Sequence, residues 1–285
     1  MTSRSWTIRE VLDWATRDFA ARGIQSPRLD AELLVASALG IDRVGLYLDL
    51  NRPLLPAERG AIRPLVARRR EREPVAYILG HRDFYGRRFE VTPDVLIPRP
   101  DTETLVEHAL EQIPSSAPSS VIDVGTGSGA IAITLAVERP AASVTATDVS
   151  EGALRVAARN ADAHSVGDRI RFARADLFPE AEIYELVVSN PPYVSTADLA
   201  ELEDDVRLHE PTIALEAGED GLAVIRRLLE RAARSTRAGA QMLFEIGAGQ
   251  AAAVAALIET SVEWDAVAIH TDLNKVERVV HLRRT

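Results

Sequence analysis

A strand, a glycine loop and a helix follow one another in the run Val121-Ile122-Asp123-Val124-Gly125-Thr126-Gly127-Ser128-Gly129-Ala130-Ile131. Glycine permits the tight turn and lets the backbone approach a ligand closely. A second acid, Asp148, ends the next predicted strand, at a spacing that suits a grip on a ribose hydroxyl pair. The arrangement predicts a nucleotide-like cofactor at the end of a parallel sheet.

The residues after 120 alternate between short apolar strands and helices. Strands are predicted at 121–122, 144–147, 170–173, 185–188 and 242–246, helices at 131–137, 151–162, 222–233 and from 251, and a closing hairpin over 266–270 and 279–282. Such alternation predicts a parallel sheet covered on both faces, with ligands bound beyond the carboxyl ends of its strands. The predicted fold class is therefore α/β, of the Rossmann-like type.

The first third of the chain predicts a small helical bundle. Thr7 and Glu10 form a capping-box pattern ahead of apolar residues that share one helical face. A longer helix is expected from about Pro56 to Glu73, kinked or divided by Pro64. These helices can bury their apolar stripes on one another.

The changes of pattern predict three parts. A helical domain is expected over residues 1–75, a hairpin linker over 76–100, and a larger α/β domain over 101–285. In the linker, Pro98 and Pro100 hold an extended strap around Arg99.

Composition limits the classes of function. The chain of 285 residues has no cysteine, which excludes disulfides, cysteine nucleophiles and thiolate metal sites and suits a reducing cytoplasm. Its net charge of -10 gives no support to a partner held through phosphates. The apolar run from Ala251 to Ile258 is too short to span a membrane. The six histidines show no ligand spacing, so no metal is expected.

The segment Asn190-Pro191-Pro192-Tyr193 directly follows the apolar run Leu186-Val187-Val188. Neither proline offers a backbone N–H, so the strand ends here in an extended turn. The Asn190 amide and the Pro191 carbonyl can both accept hydrogen bonds from one planar amino group, and Tyr193 offers a flat face for stacking. The alternative is an ordinary turn after a strand.

Two cofactor classes fit the glycine loop. With Ala130 the loop matches the dinucleotide fingerprint, so a nicotinamide enzyme is one alternative. A pyrophosphate would be repelled by Asp123 at the mouth of the loop, whereas a ligand with an ammonium and a sulfonium would be attracted. S-adenosylmethionine is such a ligand. Asp176, after the third strand, could then accept a hydrogen bond from its adenine amino group.

With these two motifs the chain resembles the HemK/PrmC glutamine methyltransferases of peptide-chain release factors. Three further blocks carry the resemblance: Pro74-Val75-Ala76-Tyr77-Ile78-Leu79-Gly80, Leu96-Ile97-Pro98-Arg99-Pro100-Asp101-Thr102-Glu103, and Glu210-Pro211 with Ala214-Leu215 and Gly218 to Leu222. The resemblance covers essentially the whole chain. It implies a class I, Rossmann-like methyltransferase with a small N-terminal helical domain.

The resemblance also implies a reaction and a site. The reaction is methylation of the N5 atom of the glutamine in the release factor's Gly-Gly-Gln loop by S-adenosylmethionine. The expected cofactor residues are Asp123, Gly125, Thr126, Gly127, Ser128, Gly129, Asp148, Asp176, Leu177 and Asn190. The expected catalytic and substrate residues are Asn190, Pro191, Pro192 and Tyr193, with Arg99 shaping the entry. Leu177 departs from relatives that have an aromatic residue there, which puts stacking on adenine in doubt.

Other functions share parts of this pattern. An exocyclic amine of nucleic acid, adenine N6 or guanine N2, meets the same geometry but needs a basic channel and base flipping, which the acidic balance does not favour. A nicotinamide oxidoreductase and a binding module without activity are the remaining alternatives. The N-terminal helices have no evident role in methyl transfer, and we expect them to dock the release factor.

Overall fold

The computed structural model describes residues 6–285, which form two compact units. One unit comprises the residues up to Gly80 together with Glu203–His209, and the other comprises His81–Leu202 with Glu210–Thr285. Residues 76–80 therefore lie in the first unit and 81–100 in the second. The predicted boundaries at residues 75 and 100 stay a prediction, and residues 1–5 of the predicted first domain lie outside the described part.

Residues 6–285 form eleven α-helices and nine strands. The helices are α1 (Ile8–Ala21), α2 (Pro27–Leu39), α3 (Arg43–Leu48), α4 (Pro56–Arg70), α5 (Val75–Leu79), α6 (Thr102–Gln112), α7 (Ala130–Glu138), α8 (Glu151–Ala163), α9 (Asp204–His209), α10 (Ala223–Arg234) and α11 (Ala251–Glu259). The strands are β1 (His81–Phe84), β2 (Arg87–Glu90), β3 (Ser119–Val124), β4 (Ala142–Asp148), β5 (Ile170–Arg174), β6 (Tyr184–Ser189), β7 (Thr236–Glu245), β8 (Trp264–Thr271) and β9 (Glu277–Arg284). None of these helices is long and apolar enough to cross a membrane.

The second unit is built on a seven-stranded sheet in the order β5-β4-β3-β6-β7-β9-β8. The first five strands in this order run parallel, and β9 pairs antiparallel with both β7 and β8. The predicted α/β fold with a closing hairpin is thus confirmed. The chain passes from β3 outward to β5 and then returns to the other side of β3, so the order reverses between β3 and β6. Ligands bind at such a reversal, beyond the carboxyl ends of the strands.

Helices cover both faces of this sheet. One apolar core lies against α6 and α7 and includes Leu105, Ile133 and Leu135, all fully buried. The other lies against α10 and α11 and includes Ile225 and Phe244. Central parallel strands buried on both faces read as continuous apolar runs, which is why they were recognisable in the sequence.

The first unit packs α1, α2 and α4 around its own core, in which Phe19 and Leu34 are fully buried. The predicted capping box is confirmed at the start of α1. The Thr7 hydroxyl accepts a hydrogen bond from the Glu10 backbone N–H at 3.2 Å, and the Glu10 carboxylate accepts one from the Thr7 N–H at 3.0 Å. Two N–H groups without helical partners are thereby satisfied.

The segment Glu203–His209 is held in the first unit by a buried guanidinium. Arg69 is only 3% exposed and donates to Asp30 at 2.7 Å and to Asp205 at 2.5 Å. A buried cation needs paired carboxylates to offset the loss of hydration. The sequence does not predict this contact, because Arg69 and Asp205 lie 136 residues apart.

Pro64 lies inside α4, which continues as one helix, so Pro64 does not divide it, and the predicted kink stays a prediction. The missing N–H leaves the Gly60 carbonyl without its helical donor. Ile62 and Val66, on either side, are buried in the core of the first unit. Their packing offsets the lost hydrogen bond.

Three imidazole rings stack in the second unit, at the edge formed by α6, β8 and β9. The ring centroids of His108 and His270 lie 3.6 Å apart, and those of His270 and His281 lie 5.9 Å apart. His281 is 6% exposed and contacts the Gln241 amide oxygen at 2.8 Å. Burial, followed by the neighbouring His270 and His108, lowers the pKa of His281 to about 4.

This lowered pKa predicts acid sensitivity of the folded state. Between the ordinary histidine pKa of 6.5 and about 4, the unfolded chain binds the proton and the folded chain does not. Stability from His281 is therefore present above pH 6.5 and is lost as pH falls toward 4. The variant H281Q, which cannot titrate, should lose less free energy of unfolding between pH 7 and pH 5. Denaturant unfolding at both pH values measures this, with H164Q as the control for a histidine outside the stack. Equal losses in H281Q and the wild type would contradict the prediction.

Candidate active site

A cavity of about 500 Å³ lies in the second unit at the carboxyl ends of the central strands. Ten of the residues predicted from the sequence line it: Gly125, Thr126, Gly127, Ser128, Asp148, Asp176, Leu177, Asn190, Pro192 and Arg99. The other four predicted residues, Asp123, Gly129, Pro191 and Tyr193, are not part of this lining. The pairing of β3 with β6 places Val124 opposite Ser189, so the glycine loop and Asn190 leave the sheet side by side.

The glycine loop is open toward the cavity at two positions. Gly125 and Gly127 have φ of 74° and 54°, and no atom lies within 4 Å of where a Cβ would stand. A side chain there would be strained and would occupy space that a ligand can use. Gly129 differs, because a Cβ would lie 2.8 Å from Ile133 and 3.1 Å from Ala157. Its role is close packing of the helices that follow the loop.

Asp123 lies beneath the loop and not at its mouth, so the argument that it repels a pyrophosphate there does not hold. The residue is fully buried, and its Oδ2 accepts hydrogen bonds from the Thr126 hydroxyl at 2.7 Å and the Ala132 N–H at 3.2 Å. Burial raises the pKa of Asp123 to about 7. Its Oδ1 is buried and has no hydrogen-bond partner among the described residues. The position of Asp123 near the end of β3 predicts that it lies close to the loop. How deeply it is buried depends on helix α7, whose first turn covers it.

Asp148 stands at the end of β4 and lines the cavity. Its carboxylate accepts the Gly127 N–H and the Ser150 N–H, each at 2.9 Å. Burial raises the pKa of Asp148, and these backbone hydrogen bonds oppose the rise. The side chain is thus fixed beside the open loop, where it can accept further hydrogen bonds from hydroxyl groups.

The third strand contributes a looser part of the site. Asp176 is exposed and forms an ion pair with Arg227, which also lines the cavity. Leu177 has a left-handed φ of 71°, and its carbonyl accepts a hydrogen bond from the Thr147 hydroxyl at 2.7 Å. An exposed ion pair of this kind contributes little stability and can rearrange at low cost.

The Asn190 side chain is held by a neighbouring hydroxyl. Its Nδ2 donates to Thr102 Oγ1 at 3.0 Å, and that hydroxyl donates in turn to Glu245 Oε2 at 2.6 Å. The Tyr193 hydroxyl donates to Glu245 Oε1 at 3.2 Å. Burial, assisted by Glu245, raises the pKa of Tyr193, so the phenol keeps its proton.

The strap around Arg99 is held by a second buried acid. Glu210 accepts hydrogen bonds from the Ile97 N–H at 3.1 Å and from the Arg99 guanidinium at 2.6 Å. Its side chain is 1% exposed, whereas that of Arg99 is 33% exposed and reaches the cavity.

Sequence reasoning did not assign a role in the site to Thr102, Glu210 or Glu245. Glu245 had a usable signal, since it interrupts the apolar run Met242-Leu243-Phe244-Glu245-Ile246 at the carboxyl end of a central strand. An acid placed there is buried and needs partners. Thr102 had no such signal beyond its place at the start of a helix.

Comparison with solved structures identifies the fold. The chain is similar to the hMettl16 catalytic domain in complex with MAT2A 3'UTR hairpin 6, with a TM-score of 0.57 and 15% identity over 68% of this chain and 74% of that one. It is also similar to a methyltransferase from Pyrococcus furiosus, with a TM-score of 0.51 and 16% identity over 70% and 89%. At these identities the likeness concerns the fold alone. The sheet order and the glycine loop after β3 are those of a class I methyltransferase.

Sequence comparison identifies the family. The PrmC N-terminal domain model matches residues 10–80, and the methyltransferase small domain model matches residues 100–230. The release factor glutamine methyltransferases of Geobacter sulfurreducens and Bacillus subtilis are 44% and 39% identical to the chain, over 96% of this chain and 96% of each relative. The chain belongs to the family of release factor glutamine methyltransferases. The nicotinamide and non-enzymatic alternatives are thereby set aside.

The cofactor of such an enzyme is S-adenosylmethionine, and the residues present fit it. The open space at Gly125 and Gly127 admits a ligand against the backbone. Asp148 offers a fixed carboxylate for the ribose hydroxyls. Asp123 holds the loop from beneath through Thr126 and Ala132.

The fit predicts a specific loss of cofactor affinity. D148A removes the carboxylate that would accept the ribose hydrogen bonds, and a charge-assisted bond of this kind contributes roughly 1.5–3 kcal/mol. The Kd for S-adenosylmethionine should rise roughly 10- to 150-fold. Isothermal titration calorimetry measures it, with D265A on the distant strand β8 as the control. Unchanged affinity in D148A would remove Asp148 from the cofactor site.

Proposed function

We propose that the protein transfers the methyl group of S-adenosylmethionine to the side-chain amide nitrogen, N5, of the glutamine in the Gly-Gly-Gln motif of class 1 peptide-chain release factors. Relatives that match nearly the full chain bear the name release factor glutamine methyltransferase, which supports this substrate. Methylation of adenine N6 or guanine N2 is not favoured. The observation that carries the proposal is the hydrogen bonding of the Asn190 side chain. Its nitrogen is engaged by Thr102, while among residues 6–285 no group donates to its carbonyl oxygen.

The substrate end of the site would orient a poor nucleophile. An amide nitrogen reacts slowly because its lone pair is delocalised into the carbonyl group. Asn190 Oδ1 and the Pro191 carbonyl oxygen accept its two N–H groups and hold the nitrogen in one direction, and Pro192 keeps the turn extended. Tyr193 anchors the end of the turn through its hydroxyl.

The chemistry then needs little from the protein beyond position. When bound, S-adenosylmethionine supplies an electrophilic methyl group on its sulfonium. The N5–CH₃ bond forms as the S–CH₃ bond breaks, and one amide proton then leaves to solvent. Alignment of nitrogen, carbon and sulfur lowers the barrier by on the order of several kcal/mol.

At the cofactor end we assign the loop Gly125–Gly129 with Asp148 to the methionine and ribose parts, and Asp176 with Leu177 to the adenine. Asp176 forms its ion pair with Arg227 through Oδ2, and its Oδ1 can accept the adenine amino group. Thr126 and Ser128 belong to this loop, and Asp123 supports it from beneath. Arg99 shapes the entry for the glutamine loop, with Glu210 holding the strap.

Product mapping tests the proposed function. A purified release factor, incubated with the protein and S-adenosylmethionine, should gain one methyl group by intact mass, and peptide mapping should place it on the Gly-Gly-Gln glutamine. A release factor with asparagine in place of that glutamine is the control. A methyl group elsewhere, or methylation of nucleic acid with no methylation of the release factor, would overturn the proposal.

Asn190 variants test the proposed role of its carbonyl oxygen. Loss of a positioned polar group that acts in the transition state typically lowers the rate about 10²–10³-fold. N190A should therefore methylate slowly in single-turnover experiments while it retains much of its cofactor affinity. N190D keeps the size but brings a carboxylate against Thr102, whose hydroxyl proton already belongs to Glu245, so its rate should also be low. Near-normal rates in both variants would mean that Asn190 only shapes the turn.

We also propose that the first unit docks the folded release factor. A groove of about 400 Å³ lies on this unit between α1 and α4. Its lining combines tryptophan and arginine, residue types that are enriched at energetically important interface positions: Trp6, Trp14, Arg59, Arg63 and Arg70. Trp14 is 38% exposed, although it is a large apolar side chain.

The cytoplasmic location predicted from composition stays a prediction.

Docking predicts a difference between two substrates. W14A and R63E should lower kcat/KM on the intact release factor by at least about 10-fold, since truncation of a hot-spot residue costs about 2 kcal/mol or more. On a short Gly-Gly-Gln peptide the same variants should match the wild type, because the peptide carries none of the release factor's folded surface. R237E, an exposed arginine of the second unit, is the charge control. Equal losses on both substrates would count against docking.

A further inference from the structure

Glu245 lies next to Asn190 in the sheet. Ser189 pairs with Phe244 in the register of β6 and β7, so Glu245 and Asn190 are the next residues on the two neighbouring strands. Glu245 is 2% exposed, at the carboxyl end of a strand that is otherwise apolar there. A carboxylate in such a place is costly unless its oxygens accept hydrogen bonds. Both oxygens do so, one from Thr102 and one from Tyr193.

The hydrogen bonds between these groups have a fixed direction. A hydroxyl group has one proton, and Thr102 uses it on the carboxylate of Glu245 at 2.6 Å. Toward Asn190, at 3.0 Å, the same hydroxyl can then only accept. Asn190 must therefore turn its NH₂ group to Thr102, which leaves its carbonyl oxygen at the opposite edge of the planar amide.

We infer that Glu245, acting through Thr102, is a positioning residue that determines which end of the Asn190 amide faces the substrate. The inference rests on the proposed function, in which the substrate amide donates to the Asn190 carbonyl oxygen. Glu245 does not touch the reacting atoms. Through its second oxygen it also holds Tyr193, so one carboxylate anchors both ends of the Asn190–Tyr193 turn.

The direction of these hydrogen bonds requires an ionised Glu245, and the surrounding charges affect the pKa of its carboxyl group. Burial raises the pKa of Glu245, and the hydrogen bonds from Thr102 and Tyr193 and the positive charge of Arg278 oppose the rise, whereas Asp101 adds to it. Arg278 forms ion pairs with Asp101 at 3.2 Å and Asp272 at 3.1 Å, so Asp101 is itself partly neutralised. The geometry of two donors on two oxygens is that of an acceptor-only carboxylate.

E245Q preserves size and leaves one acceptor end and one donor end at position 245. In the orientation whose NH₂ faces Thr102, the Thr102 hydroxyl donates to the Asn190 carbonyl oxygen, and the Asn190 NH₂ group turns toward the substrate N–H, which is also a donor. For this orientation we expect kcat on the release factor to fall about 10²-fold, as for a lost transition-state hydrogen bond, with little change in KM or in the Kd for S-adenosylmethionine. In the opposite orientation the NH₂ faces the Tyr193 hydroxyl, and the Asn190 amide keeps its direction, so the Thr102 variants are the decisive test.

Thr102 variants test the same chain of hydrogen bonds without altering the carboxylate. T102V removes the hydroxyl at similar volume and should lower kcat about as much as E245Q, whereas T102S keeps the hydroxyl and should restore most of the rate. T236V, at the other end of β7, removes a buried threonine hydroxyl that donates to Ala232 and is the matched control. The double variant T102V/E245Q should be no slower than the slower single variant, since both act on one orientation.

A second readout does not depend on turnover. In the wild type the Asn190 NH₂ protons should exchange slowly with solvent by NMR, and in T102V they should exchange at least about 10-fold faster, because their acceptor is gone. Exchange that T102V leaves unchanged would overturn the inference. So would wild-type kcat in folded T102V, or a double variant in which the two losses multiply. A wild-type protein that fails to methylate release factors would overturn the proposed function, and the exchange measurement would then still decide on the orientation of Asn190.

Discussion

The parallel pairing of β3 with β6 is the constraint on which the site depends. It places Val124 opposite Ser189, and the Ser189 hydroxyl donates to the Val124 carbonyl at 2.7 Å, which ties the two strand ends together. The glycine loop and the Asn190 turn therefore start from one point of the sheet. In the proposed function the first holds the methyl donor and the second holds the substrate amide, so the strand register sets how close the two groups come. A slip of register between these strands would separate them and invert the burial of every side chain on β6.

Buried carboxylates hold the segments that form the cavity. Asp123 supports the glycine loop through Thr126 and Ala132, Glu210 supports the strap at Ile97 and Arg99, and Glu245 supports the turn at Asn190. All three acids are at most 5% exposed. Each would destabilise the core if it stood alone, and each is offset by donors that it fixes in place. Loops rich in glycine and proline have few regular backbone hydrogen bonds of their own. The hydrogen bonds to these carboxylates take the place of the backbone hydrogen bonds that would hold a strand in a sheet.

Much of this arrangement follows from local pattern. Buried parallel strands are continuous apolar runs, and the glycine loop and the two prolines have few alternative conformations, so the α/β fold and the position of Asn190 were predictable. The pattern could not reveal contacts set by tertiary packing. The depth of Asp123 depends on α7, the place of Thr102 beside Asn190 joins residues 88 apart, and the uninterrupted helix at Pro64 depends on neighbours in the core. Side-chain direction at Glu245 likewise requires the register of β6 against β7.

The two ends of the site differ in stiffness, and the difference follows the demands of the chemistry. At the end that we assign to the adenine, Asp176 and Arg227 are exposed and their ion pair contributes little stability, so these side chains can rearrange at low cost. At the amide end, Asn190 is fixed by Thr102 and Tyr193 by Glu245, within a largely buried set of hydrogen bonds. An amide nitrogen has little intrinsic reactivity, and its rate depends on alignment with the methyl carbon. If the Asn190 side chain lost its orientation, the amide nitrogen would be aligned with the methyl carbon in a smaller fraction of the bound complexes. The buried polar groups are therefore placed where orientation limits the reaction, and the exposed ones where binding only needs to be reversible.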